Sequence, residues 1–346
     1  MPHSVLLCGS VPLNSVESVF STCASILGSS ATRLPDGEVG VRLGWITFQL
    51  DLLLANPDFE MVPTEPGTYS SLPRVRLRDG VAASNVVFGE LGYAKAAKES
   101  WTIFQKLVAQ GTISPETRFQ VCLPTPVAVI GAFVTNYHDE LERSYESRLL
   151  TELKEILDFV PNDKLAIQLD VCWEIAILEG LTSSWFGSNY EEQLLQVVER
   201  LARLGNAVPD GVEFGIHLCY GDAGHKHFKE PVNMSKMVDI AMGLISRLNR
   251  PLTYLHLPVP RSRDDVAYFA PLQLAIPLLA CHQTQLFLGL VHLTDGEEGA
   301  KKRIDAAAEV VKGFGVSTEC GLGRRPEEHI IKLLSLIRTV SGLVPQ

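Results

Sequence analysis

The chain has 346 residues, 46% of them apolar and 20% charged, which suffices for a large core and excludes a disordered chain or a small disulfide scaffold. Its 30 basic and 40 acidic residues leave a net charge of −10, which argues against nucleic acid or an anionic membrane as a general partner. Seven cysteines, an odd number without ladder spacing, fit a reduced, cytoplasmic setting with thiols open to chemistry. The first apolar run lacks a basic flank, and the most apolar stretch, 266–281, is broken by Pro271 and Pro277 and is shorter than a membrane span.

In chain order, short apolar runs alternate with stretches of helical period. Strands are expected over 4–10, 31–35, 119–123, 165–170, 212–219, 252–257, 285–291 and 315–320. Between them lie amphipathic segments such as 145–159 and 190–204, whose leucines fall on one face, and a final helix over 326–340 with Pro326 in its first turn. Eight strands with intervening helices read as a single-domain (β/α)8 TIM barrel. A doubly wound sheet is the runner-up, but no G-x-G-x-x-G follows the first strand. Residues 56–84, rich in Pro, Gly and Ser, with a helix near 90–109, make the link between the second and third strands too long for a plain connection. The span 56–115 therefore reads as an insertion plus helix, and 56–84 is expected to cover the C-terminal mouth.

A barrel enzyme carries its chemistry at the C-terminal ends of its strands. The expected ends here are Cys8-Gly9-Ser10, Asp36-Gly37-Glu38, Pro124-Thr125-Pro126, Asp170, His217-x-Cys219, His256, His292 and Glu319-Cys320. His217 and Cys219 are two apart on a strand, so both point to one side. With Cys320 they make a partial tetrahedral set for Zn²⁺. On residues alone they fit buried, inert thiols as well, and Glu38 and Asp170 fit helix caps as well as binding groups.

At these positions the chain resembles the C-terminal catalytic barrel of cobalamin-independent methionine synthase, within the uroporphyrinogen decarboxylase/methionine synthase-like superfamily. Gly9-Ser10-x-Pro12 is similar to that family's opening turn, Asp36-Gly37-Glu38 to its G-E motif and Ile167-Gln168-Leu169-Asp170 to its I-Q-x-D strand. His217-x-Cys219-Tyr220 and Glu319-Cys320-Gly321-Leu322 are similar to its two zinc motifs. The resemblance implies that His217, Cys219 and Cys320 ligate Zn²⁺, and that Ser10, Glu38 and Asp170, with Thr125 nearby, bind the amino-acid part of a homocysteine-like thiol. Where the family has a glutamate as fourth ligand this chain has His256, with His225 or His227 as other candidates. Where the family has a strand-end aspartate it has His292.

Two enzyme readings follow. One is a zinc-dependent methyl or alkyl transferase that activates a thiol. The other is a repurposed barrel acting as lyase, isomerase or cyclase on a small metabolite, with Asp170, His256 and His292 as acid/base groups. A third reading is a non-catalytic binding protein. The expected partner is a small molecule, with no nucleic acid and no membrane, and a homodimer is left open.

Overall fold

A computed structural model describes residues 4–62, 73–224 and 226–345. It is a mixed α/β structure built around a parallel sheet. The strands are β1 (Arg33–Pro35), β2 (Phe59–Val62), β3 (Arg74–Leu77), β4 (Arg118–Pro124), β5 (Leu165–Val171), β6 (Glu213–Leu218), β7 (Tyr254–Pro258), β8 (Gln285–Gly289) and β9 (Gly315–Val316). Seven of them form one sheet in the order β1-β4-β5-β6-β7-β8-β9, and β2 and β3 form a separate antiparallel pair. Every residue of β5 and of β7 is buried, as expected where helices cover one face of a parallel sheet and side chains fill the other.

The segment 4–10, expected as a full strand, makes only isolated bridges, Val5 to Val316 and Ser10 to Gly37. Leu6 N donates to Val316 O at 3.1 Å and Val11 N donates to Gly37 O at 2.9 Å, so the segment touches β9 at one end and the chain after β1 at the other. The carbonyls of Leu7 and Cys8 find side-chain donors. Gln120 Nε2 donates to Leu7 O and Gln168 Nε2 to Cys8 O, both at 2.9 Å. The glutamines on β4 and β5 thus satisfy from inside what a ladder would satisfy from the side. At the other terminus β9 stops at Val316, whereas a strand to Cys320 was expected. Thr318 Oγ1 donates to Cys320 O at 2.7 Å, a local turn bond that competes with the ladder.

The helices pack outside the sheet. Those over Val16–Leu27 and Tyr190–Asn206 are capped by Ser15 and Asn189, whose side chains accept from Ser18 N and Glu192 N. The last helix, Ile330–Ser341, is preceded by a 3₁₀ turn at Glu327–His329, so Pro326 stands before the helix and not in its first turn. The helix Tyr93–Ala109 packs between Val16–Leu27 and His138–Phe159 in the same outer layer.

Within 56–84, residues 63–72 lie outside the described residues. The described remainder lines neither of the two cavities described below. Instead β3 is tied to the end of the helix Pro126–Phe133. Thr135 N donates to Val75 O at 3.0 Å and Arg74 Nη2 donates to Val134 O at 2.6 Å. Residues 44–47 and 132–133 line the main cavity.

Candidate metal centre and adjoining cavities

Parallel register sets the centre. Asp170 pairs with His217, and His217 with His256, across β5, β6 and β7, so the three side chains share one layer at the strand ends. Cys219 follows His217 just past β6, held by its N–H to Val171 O at 2.8 Å. Cys320 reaches the same place because the turn after β9 packs closely on the N-terminal segment. A Cβ on Gly321 would lie 2.5 Å from Ser10 Oγ, so glycine is what allows the approach. Leu322 N donates to Ser10 O at 2.7 Å and Gly323 N to Ser10 Oγ at 3.1 Å.

One ligand atom from each of His217, Cys219 and Cys320 lies within 4.8 Å of the others. The two sulfurs are 3.5 Å apart. Contact with Cys172, together with burial, pushes the Cys219 thiol well up, and contact with Cys219 does the same to Cys320. Two thiolates this close repel unless a cation lies between them.

The imidazoles fix one another's tautomers. His256 Nε2 lies 3.0 Å from Thr318 O, an acceptor, and must therefore carry the proton. Burial lowers His256 to about 3, so the ring is neutral and its Nδ1 is a bare acceptor. His217 Nδ1 is 2.7 Å from that atom and so carries its own proton. Burial also holds His217 well below its usual value. What remains is a lone pair on His217 Nε2, a buried atom with no hydrogen-bond partner. One unpartnered neutral imidazole nitrogen beside two thiols is a donor set suited to Zn²⁺.

His256, expected as fourth ligand, groups with His217 and Cys8 in a second set of potential ligand atoms and not with Cys219 and Cys320. Both of its nitrogens are engaged, and it stands behind His217 and not beside the two sulfurs. Fully buried, it lines neither of the two cavities and meets the main one only through His217. His225 lies outside the described residues. His227 turns away from the thiols, with Nε2 3.3 Å from Glu319 Oε2.

The main cavity, about 390 Å³, opens beside the sulfurs and is lined by Ser10, Glu38, Asp170, His217, Cys219 and Cys320 among others. Asp170 accepts from Gln168 Nε2 at 2.8 Å, and burial lifts it to about 7. Burial, then the charge of Asp170, raises Glu38 well above the carboxylate range. Glu38 has φ 48°, and its N–H donates to Asp36 Oδ1 at 2.9 Å. Asp36 also accepts from Arg42 and from Ser100, so its carboxylate is committed to holding this turn. Gly9 has φ +136°, and a Cβ there would lie 2.9 Å from Glu38 Oε2.

Two expected site residues are elsewhere. Thr125 caps the helix Pro126–Phe133 by accepting from Ala128 N at 3.1 Å and lines neither cavity. His292 donates from Nε2 to Val259 O at 2.8 Å and borders a second, smaller cavity. Sequence reasoning missed Trp45, Cys172, Trp173, Asp222 and Arg324, all on the main cavity wall. Cys172 and Arg324 could have been found, lying two and four residues beyond Asp170 and Cys320. Trp45, with φ 59°, follows a 3₁₀ turn and carries no strand-end signal.

No protein-family model matches the chain, and no curated relative does either. Among solved structures it is similar to a B12-independent methionine synthase from Shewanella sp. W3-18-1, with a TM-score of 0.61, 14% identity, and coverage of 99% of this chain and 97% of that one. It is also similar to a methyltransferase from Methanosarcina mazei, with a TM-score of 0.53, 14% identity and coverage of 97% and 94%. No helix among the described residues is long and apolar enough to cross a membrane. The resemblance read from the motifs and the likeness of the whole fold point the same way: the chain has the fold of a methionine synthase-like barrel protein.

Proposed function

We propose that this protein is a zinc-dependent methyl- or alkyl-transferase-like enzyme that activates a small amino-acid thiol, on a (β/α)8 barrel whose eighth strand is the segment 4–10. The observation that carries the reading is the convergence of Cys219, Cys320 and the unpartnered Nε2 of His217. These three would hold Zn²⁺, which when bound keeps a substrate thiol as its thiolate at neutral pH. Three protein ligands leave a position for that thiol.

The chain's own residues supply the rest. His256 orients His217 through the Nδ1–Nδ1 bond. Glu38 and Asp170 face a substrate ammonium from the opposite wall, and a cation between them relieves their mutual repulsion, so substrate binding and carboxylate ionisation support each other. Ser10 holds the closing turn and presents its hydroxyl to the cavity. Trp45, Phe133 and Trp173 keep the other side of the cavity apolar, which suits an alkyl donor and excludes water from the nucleophile.

A second reading, proton-transfer chemistry on a small metabolite, draws on Asp170 at about 7, in the range of a general acid or base. Elemental analysis and X-ray absorption on zinc-loaded protein test the first reading. One nitrogen and two sulfurs from protein are expected, with a further sulfur on addition of homocysteine. His217→Ala or Cys320→Ser should remove most of the metal, and Cys23→Ser should not, because Cys23 is buried in an outer helix where burial pushes its thiol up to about 12. A wild-type protein that takes up no zinc and alkylates no thiol would leave the second reading standing.

A further inference from the structure

The second cavity, about 190 Å³, lies on the far side of the turn that carries Cys320. It shares no lining residue with the main cavity, although Glu319 borders one and Cys320 the other. Its volume is many times the roughly 10–15 Å³ needed by one water, and its walls are more polar than those of the main cavity.

Glu319 in this cavity already has histidine neighbours. His227 Nε2 is 3.3 Å from Glu319 Oε2 and its Nδ1 is 3.3 Å from Glu230 Oε1. The Nε2–H of His227 faces Glu319, whereas its buried Nδ1 has no hydrogen-bond partner although Glu230 lies nearby. Burial alone would lower His227, but Glu319 and Glu230 outweigh it and hold the ring above its usual value. His292 approaches the other oxygen of Glu319 at 3.7 Å. The arginines are in a different position. Arg261 Nη1 donates to Thr294 Oγ1 at 3.1 Å, and among the described residues neither Arg261 nor Arg325 has a carboxylate oxygen within 4.0 Å. Both border the cavity. It therefore presents two guanidinium forks, neither in an ion pair within 4.0 Å among the described residues, of a kind suited to a planar or tetrahedral oxyanion.

We infer that this cavity is a subsite for the oxyanion group of a small ligand, a carboxylate or a phosphate, held by Arg261 and Arg325 with the Thr294 hydroxyl beside them. The subsite does not depend on metal. It lies one residue from Cys320, so an occupied oxyanion site bears directly on the turn that delivers a thiol to the main cavity.

The test is titration of ¹⁵N-labelled full-length protein, metal-free and zinc-loaded, with sodium acetate and separately with sodium phosphate at an ionic strength held constant with chloride. Saturable amide shifts confined to 292–294 and 319–325 are expected in both forms. Acetate alone saturating assigns a carboxylate, phosphate alone assigns a phosphate, and both assign a general oxyanion site. Arg261→Gln and Arg325→Gln should each weaken binding about tenfold or more, as loss of a charge-assisted bond does. Arg143→Gln, whose side chain pairs with Asp139 on an outer helix, should not weaken it. No saturable shift at these amides, affinity unchanged in both cavity variants, or equal weakening in Arg143→Gln would overturn the assignment. Because metal-free protein suffices, the result is independent of whether the zinc reading holds.

Discussion

The hydrogen bond behind His217 can be tested on its own. His256→Ala removes the acceptor 2.7 Å from His217 Nδ1 and the donor 3.0 Å from Thr318 O. A buried N–H left without an acceptor costs about 1–3 kcal/mol. Without metal the freed imidazole can exchange tautomers and recover part of that cost. With metal on Nε2 it cannot, because Nδ1 must keep the proton. The difference falls on metal affinity, and second-shell partners of ligating histidines are worth about 10- to 100-fold there, or roughly 1.4–2.7 kcal/mol. Competition against a chromophoric chelator should therefore show zinc binding weakened by about that factor in His256→Ala, with partial recovery in His256→Gln, whose carbonyl can accept from Nδ1. X-ray absorption should show the same one nitrogen and two sulfurs as in wild type. Loss of a nitrogen scatterer would mean that His256 is itself a ligand, and unchanged affinity would mean that the Nδ1–Nδ1 bond orients nothing.

Three further outcomes follow from the packing. Glu174 is buried, neither of its carboxylate oxygens has a hydrogen-bond partner, and burial lifts it to about 7 from 4.5. Its protonated form is the one the fold favours, so its contribution to stability is fully present below about pH 4.5 and is lost as pH rises through 7. Denaturant unfolding of Glu174→Gln against wild type should then show the variant gaining about 2–3 kcal/mol between pH 5 and pH 8; a pH-independent difference would mean that Glu174 ionises normally. Arg33, 2% exposed, is paired with Glu213, donates to Gln285 at 2.9 Å and lies 4.5 Å from the Tyr254 ring centroid. Arg33→Met should cost about 3 kcal/mol in the same assay with metal content unchanged, since this cluster sits at the N-terminal strand ends. Gly9→Ala should shift Glu38 and cost about 1–3 kcal/mol, with homocysteine affinity falling more than zinc content.

The strand positions were legible because parallel strands buried on both faces leave continuous apolar runs, as in Leu165–Val171. The first and last strands were overread for a reason visible in the interior. Leu7 and Cys8 bond to glutamine side chains, and Thr318 gives its carbonyl to His256. Apolar character alone cannot distinguish a ladder from a segment satisfied in these other ways. The H-x-C pair and Cys320 were legible because period two on a strand and a glycine turn constrain where side chains go. The role of His256 was not, since it depends on which nitrogen each ring has to spare. A ligand and an orienting partner can occupy the same strand position. The wall residues Trp45 and Trp173 come from turns and short helices, for which one sequence has no rule of placement.

The charges around the main cavity bear on what it can admit. Glu38, Asp170 and Asp222 line it, Arg324 stands with them, and the two thiols complete the polar wall. Arg324 lies 3.8 Å from Asp222, which leaves Glu38 and Asp170 as the carboxylates facing inward, both raised by burial. A neutral or anionic ligand would leave them protonated or repelling. A ligand with a cationic group would draw both into their charged forms, gaining more than an exposed ion pair gives because both carboxylates are buried. The same argument holds at the sulfurs, where two buried thiols ionise together only beside a divalent cation. Under the proposed function, positive charge enters the cavity at two points, one held between His217, Cys219 and Cys320 and one carried in by the substrate. An amino-acid thiol whose ammonium meets Glu38 and Asp170 while its sulfur reaches the metal position satisfies both at once.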